Sequence, residues 1–200
     1  NYIEAEVMVP GVLKENKGVN IPGVKLDFKG ITAKDRIDLE FGLRNRIDFV
    51  AQSFVRTRRD IECIRRFIGR EGEECRIIAK IENGEGVGNI DSILDAADGI
   101  MIARGDLGVS LPIYQVPMIQ KMIIKKCNRR KKMVITATQM LESMTEHIRP
   151  TRAEVSDVTN AILDGSGYLM LSAETAAGAH PDLAVKMMND IIKFTERFNA

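Results

Sequence analysis

The sequence predicts a parallel α/β fold, and within that class a barrel in preference to a doubly wound sheet. Three observations predict it. Five short apolar runs alternate with amphipathic stretches, and their centres, near Phe49, Ile78, Ile102, Ile135 and Met170, lie roughly 25 to 35 residues apart, enough for one helix between successive strands. Lys80 and Glu82 stand two apart at the end of the second run, so a strand would point both to one side. Two charges on one buried face are costly unless that face opens on a site, as it does at the mouth of a barrel. Finally, no G-x-G-x-x-G follows any of the runs, which weakens a dinucleotide-binding sheet.

The elements follow in order. Residues 1–28 are short, Gly- and Pro-punctuated and β-like. The chain starts at Asn1-Tyr2-Ile3 in strand-like alternation without an initiator Met, which predicts a piece of a longer protein. Thr32-Ala33-Lys34-Asp35 resembles a capping box with Asp in place of Glu, and Ile37/Phe41 and Leu39/Leu43 recur at i, i+4, so a helix is expected over 32–45. Residues 49–55 read as a strand, and Ile61, Ile64 and Ile68 as a helix that Gly69 can end. Residues 76–82 are the next strand and 87–97 the next helix. Residues 99–103 are a strand, and the stripe Met118, Ile119, Met122, Ile123, Cys127 marks a helix with both methionines in the core. Residues 133–138 are a strand. Thr151-Arg152-Ala153-Glu154 is a full capping box opening a helix through Val155, Val158 and Ile162. Residues 168–171 are the last strand, and Pro181 stands where a first-turn proline belongs.

Composition narrows the function classes. Hydrophobic residues at 44% and charged residues at 28% exclude a disordered or collagen-like chain. Lys+Arg 29 against Asp+Glu 28 leaves a net charge of +1, which points to no polyanionic partner. The basic run Arg129-Arg130-Lys131-Lys132 has no aromatic interleaving, so nucleic acid is not expected, and it reads as solvated surface at a helix C-terminus. No apolar run approaches the ~20 residues of a membrane span. Cys63, Cys75 and Cys127 are odd in number and widely spaced, which suggests a reducing cytoplasm and no metal pattern. His147 and His180 read as surface-loop residues.

Four strings stand at expected strand ends: Lys80-Ile81-Glu82-Asn83, Ala103-Arg104-Gly105-Asp106-Leu107-Gly108, Thr136-Ala137-Thr138-Gln139-Met140 and Leu171-Ser172-Ala173-Glu174-Thr175. Glu82 and Asp106, on neighbouring strands, would suit Mg²⁺ or Mn²⁺, which take oxygen ligands and leave positions for substrate and water. Lys80 adds a point charge suited to phosphoryl or enolate oxygens. Gly105 lacks a Cβ, so an anion can approach its backbone closely. Each residue alone also has a plain structural reading: a Lys80–Glu82 ion pair capping the barrel, Asp106 capping a short helix, Thr138 an ordinary β-branched strand residue. Their coincidence at successive strand ends favours a site for a small, doubly anionic substrate.

These strings, with Ala137-Thr138-Gln139-Met140-Leu141-Glu142-Ser143-Met144, Arg149-Pro150-Thr151-Arg152-Ala153-Glu154 and Lys17-Gly18-Val19-Asn20-Ile21-Pro22-Gly23, closely resemble the pyruvate kinase family over nearly the whole chain. Ala176-Ala177-Gly178 looks like its bacterial branch. The resemblance implies a (β/α)₈ TIM barrel of which strands 4–8 are present in 29–200, with residues 1–28 the end of an inserted small β domain. It implies phosphoryl transfer from phosphoenolpyruvate to ADP, giving pyruvate and ATP, in a cytoplasmic homotetramer. By motif, Glu82 and Asp106 would hold the metal and Lys80 would neutralise the phosphoryl group and enolate. The Gly105 and Asp106 amides would bind the substrate carboxylate. Thr138 would bind substrate and lie on the route that protonates C3, and Lys17 would reach the nucleotide phosphates. Arg152 resembles a residue near the subunit interface. K⁺ would be a further cofactor, with ligands in a more N-terminal part of the family's barrel. Ala173 and Ser110 depart from the family's usual Gly and acidic residue, and Val9-Pro10-Gly11 is also less typical. Two rival readings stay open: another metal-dependent barrel acting on phosphoenolpyruvate or pyruvate, such as an aldolase or lyase, and an inactive homologue serving in assembly.

Overall fold

The computed structural model describes residues 30–69 and 72–198, together with residues 2, 4–12, 15 and 19. Lys17, and most of the segment expected to end a small β domain, lie outside the described residues; residues 4–12 are exposed and have no strand partner among those described. From residue 33 onward the expected alternation is realised. The elements are α1 (Ala33–Arg44), β1 (Phe49–Gln52), α2 (Arg58–Ile68), β2 (Arg76–Ile81), α3 (Gly84–Gly88), α4 (Ile90–Ala96) and β3 (Gly99–Ala103). They continue with α5 (Arg104–Ser110), α6 (Val116–Arg129), β4 (Met133–Ala137), α7 (Arg152–Leu163), β5 (Tyr168–Met170), α8 (Ala173–Ala176) and α9 (Pro181–Phe198).

The strands form one sheet in the order β1-β2-β3-β4-β5, each parallel to the next. Spatial order equals chain order without reversal. A doubly wound sheet reverses at its switch point, whereas a barrel adds each strand on the same side of the last, so this run is the barrel pattern. Ile77, Ala79 and Ile81 of β2, Ile100 and Ile102 of β3 and Val134 of β4 pack against Ile61, Ile64, Ile93, Leu94, Ile123 and Ile124 of the helices. Burying each such side chain contributes about 1.5–3 kcal/mol relative to exposure. Period-2 geometry then sends Ile78 and Lys80 to the other face.

Local chemistry explains the boundaries. The Thr32 hydroxyl accepts the Asp35 N–H at 3.1 Å while the Asp35 carboxylate takes the Thr32 N–H at 2.8 Å, so Asp serves in the capping box. Gly69 ends α2 at φ 51°. The single helix expected over 87–97 is two: α3 is capped by Asn83, and Asn89 breaks away to donate its side-chain amide to the Arg56 carbonyl at 2.9 Å.

Two expectations need correction, the core stripe of α6 and the solvated basic run. Met118 is 68% exposed, because it lies half a turn from the face of α6 that buries Gln120, Ile123 and Cys127; Met122 is half-buried. Ile37 and Phe41 of α1 are exposed while Leu39 turns inward. The basic run is not all solvated surface. Arg130 pairs with Asp91 at 2.9 Å, and Lys132 donates to the Leu94 and Ala97 carbonyls, supplying partners to the end of α4.

Candidate active site

Because all strands are parallel, their C-terminal ends share one edge, and the expected site residues fall along it. Lys80 is in β2 and Glu82 follows it directly. The same-side spacing is realised as an ion pair, Lys80 Nζ to Glu82 Oε1 at 2.8 Å. The Glu82 side chain is only 3% exposed and that of Lys80 25%. Burying a carboxylate so deeply requires partners for both oxygens, and the Phe54 N–H supplies the second, donating to Oε2 at 2.6 Å. Lys80 also donates to Ser53 Oγ at 2.7 Å. β1 was expected to reach Val55. It stops at Gln52 because Phe54 turns to φ 55°, the conformation in which its N–H serves Glu82.

At the ends of β3 and β4 the arrangement differs. β4 ends at Ala137, and Thr138 stands beyond it at φ 69°, followed by Gln139 at φ 53°. An ordinary strand residue is therefore excluded as the reading of Thr138; a β-branched residue at positive φ is a genuine outlier. The Gly105 N–H donates to Thr138 Oγ1 at 2.8 Å. Having accepted that bond, the hydroxyl keeps its own proton to donate.

Asp106 does not cap α5. The cap position is Ala103, and Asp106 sits exposed in the first turn, where the helix dipole favours its charge, without a hydrogen bond or ion pair among the described residues. A Cβ placed on Gly105 would meet Thr138 Oγ1 at 3.5 Å, ordinary contact. Packing does not require glycine here.

A divalent metal fits this donor set in kind. Glu82 and Asp106 offer hard carboxylate oxygens, and each Glu82 oxygen keeps a lone pair beyond its one partner. No group of three or more His, Cys, Asp or Glu side chains able to hold a metal occurs among the described residues. Two carboxylates with water or substrate completing the shell is a familiar Mg²⁺ arrangement.

The fourth string is a brace. Glu174 is fully buried and accepts the Leu141 N–H at 3.0 Å and the Ser172 N–H at 2.7 Å, tying the end of β5 to the segment after β4. Ala173 opens α8 in helical geometry, which alanine suits. Arg152 is exposed at the start of α7. His147 is exposed and His180 half-buried, both outside helices. Thiol chemistry finds no support in the buried cysteines: burial pushes Cys127 up to about 12 and raises Cys75.

Sequence reading assigned no role to Ser53 or Arg104. Ser53 carries no distinguishing signal beyond standing near a strand end. Arg104 carries one: an arginine directly before the Gly105-Asp106 step, following a largely buried apolar strand.

The family model described as "Pyruvate kinase, barrel domain" matches residues 1–185. The chain is 58% identical, over 98% of its length, to a protein named pyruvate kinase from Geobacillus stearothermophilus, covering 33% of that protein. It is 52% identical over 94% of its length to one from Staphylococcus epidermidis, covering 32% of it. It is 51% identical over 94% to one from Candida albicans, covering 37% of it. The chain thus spans about a third of the length of the curated relatives it matches. No helix among the described residues is long and apolar enough to cross a membrane.

Proposed function

The chain belongs to the pyruvate kinase family, and from that premise we propose that it supplies part of a site transferring the phosphoryl group of phosphoenolpyruvate to ADP. The observation that supports this reading best is the gathering of Lys80–Glu82 and Gly105–Thr138 at the C-terminal ends of adjacent parallel strands.

Glu82 and Asp106 would hold Mg²⁺ or Mn²⁺, whose charge would offset that of the phosphoryl oxygens. Lys80, fixed by Glu82 and Ser53, would present its ammonium to the transferring group and then to the enolate oxygen. These charges develop mainly in the transition state, where stabilisation accelerates reaction. The backbone amide at Asp106 would receive the substrate carboxylate, with Gly105, whose own N–H is held by Thr138 Oγ1, leaving room for its close approach. Thr138, whose hydroxyl proton has no acceptor among the described residues, would lie on the route delivering a proton to C3 of the enolate, completing pyruvate.

Lys17 would approach the nucleotide phosphates from a small β domain ending near residue 28, the barrel taking up 29–200. K⁺, a cytoplasmic setting and a homotetramer belong to the same proposal.

The test is ATP formation by the full-length protein from phosphoenolpyruvate and ADP with Mn²⁺ and K⁺. One ATP per pyruvate is expected. Cleavage or condensation of pyruvate without ATP would move the assignment to an aldolase or lyase, and binding without turnover would move it to an inactive homologue.

A further inference from the structure

Thr138 and Gln139 hold successive positive φ angles of 69° and 53°. Left-handed backbone costs an L residue roughly 1–2 kcal/mol, and such strain persists only where the surroundings over-determine it. Those surroundings centre on one side chain. The Arg104 guanidinium donates through Nε to the Ala137 and Thr138 carbonyls at 3.3 and 3.2 Å, and through Nη2 to the Thr138 and Gln139 carbonyls at 2.6 and 3.1 Å. Three successive carbonyls therefore converge on one cation. Nη1 faces outward from this segment, to Asp157 of α7 at 2.6 Å and Gln120 of α6 at 3.3 Å. The side chain is 10% exposed, and each of its nitrogens has a protein acceptor. Arg104 is thus engaged with the fold and does not reach out to a ligand.

Gly105 is the next residue, and its N–H holds the Thr138 hydroxyl. One strand end grips Thr138 from two sides, by carbonyl and by hydroxyl. We propose that Arg104, steadied by Asp157, is a positioning residue that acts through Thr138, fixing the left-handed 138–139 segment so that the Thr138 hydroxyl stays against Gly105. This rests on the role proposed above for Thr138. A rigid planar fork suits the task, since an ammonium has three donors on one point charge and cannot serve three carbonyls and a carboxylate at once.

The test uses the full-length protein. Arg104→Lys keeps the charge and removes the fork; it should lower kcat about tenfold, misplacement of a reacting group by a fraction of an ångström being enough for that. In a Thr138→Val background the same change should cost less than about twofold, because coupled residues are not additive. Asp157→Asn should act in the same direction, less strongly. Independent full losses from Arg104→Lys and Thr138→Val would overturn the proposal. A second measurement is independent of turnover: amide hydrogen exchange at Gly105 should quicken in Arg104→Lys and Asp157→Asn while Ile100 in β3 stays protected. Unchanged Gly105 exchange would also overturn it. Absence of phosphoryl transfer in the unsubstituted protein would count against the proposed function, and Gly105 exchange would then decide the positioning role.

Discussion

At the end of β2, charged side chains hold one another; at the ends of β3 and β4, one charged side chain holds backbone. Lys80 and Glu82 stand two apart in sequence, and Phe54 and Ser53 merely complete the pair. The Thr138 geometry depends on Arg104, Gly105, Gln120 and Asp157, drawn from three elements, α5, α6 and α7, of which no two are expected to meet from spacing alone. The two neighbours on one edge should therefore fail differently. Disturbing the β2 end removes charge from the chemistry, whereas disturbing the β3–β4 end moves a hydroxyl while leaving the charges in place.

The sharpest separation comes from Lys80→Met. It removes the ammonium and leaves the buried Glu82 carboxylate with the Phe54 N–H as its one partner among the described residues. In the full-length protein kcat should fall about 10²–10³-fold, the scale for losing one preorganised electrostatic partner, with Mn²⁺ still bound. Near-normal kcat would remove Lys80 from the chemistry.

A smaller effect should distinguish ligand approach from packing at the β3 end. Gly105 is helical and has room for a methyl group, so Gly105→Ala should leave stability unchanged or raise it by up to about 1 kcal/mol. The KM for phosphoenolpyruvate should rise about tenfold, the worth of one compromised hydrogen bond to a charged group. A destabilised protein with unchanged KM would show that glycine serves the fold here.

The smallest effect concerns the far support of the β4 end. Glu154 accepts the Ser143 N–H at 2.7 Å as well as the Thr151 N–H at 2.7 Å, so the capping box of α7 also ties down the segment after β4. Burial alone would raise the Glu154 carboxyl, but the hydrogen bonds from Ser143 and Thr151 outweigh it and hold it below its ordinary 4.5. A depressed carboxyl stabilises the fold fully above the unfolded value and loses that contribution as pH falls through the folded one. Glu154→Gln should cost about 1 kcal/mol at neutral pH. The gap to the parent protein should narrow below about pH 4.5, as denaturant unfolding across pH would reveal. A gap independent of pH would mean that the carboxylate's charge is not what ties the segment.

By itself the sequence determined the things that repeat or act over a few residues. The alternation of apolar runs and helices, the Thr32 and Thr151 caps, the Gly69 stop and the same-side placement of Lys80 and Glu82 all follow from fixed local periods, 3.6 and 2 residues, and they appear as expected. The motif strings were enough to identify the family. Tertiary structure decided what depends on partners far along the chain. The spacing of 87–97 fits one helix, yet the Arg56 carbonyl draws Asn89 out and makes two. The pattern of α6 admits Met118 to the core, yet the direction in which the sheet lies leaves it in solvent. Thr138 has the composition of a strand residue, yet it stands in the left-handed region with its carbonyl on the Arg104 guanidinium and its hydroxyl on the Gly105 N–H. Strain of that kind has no local signature, because the groups that stabilise it are brought together only when β3, β4, α6 and α7 have packed.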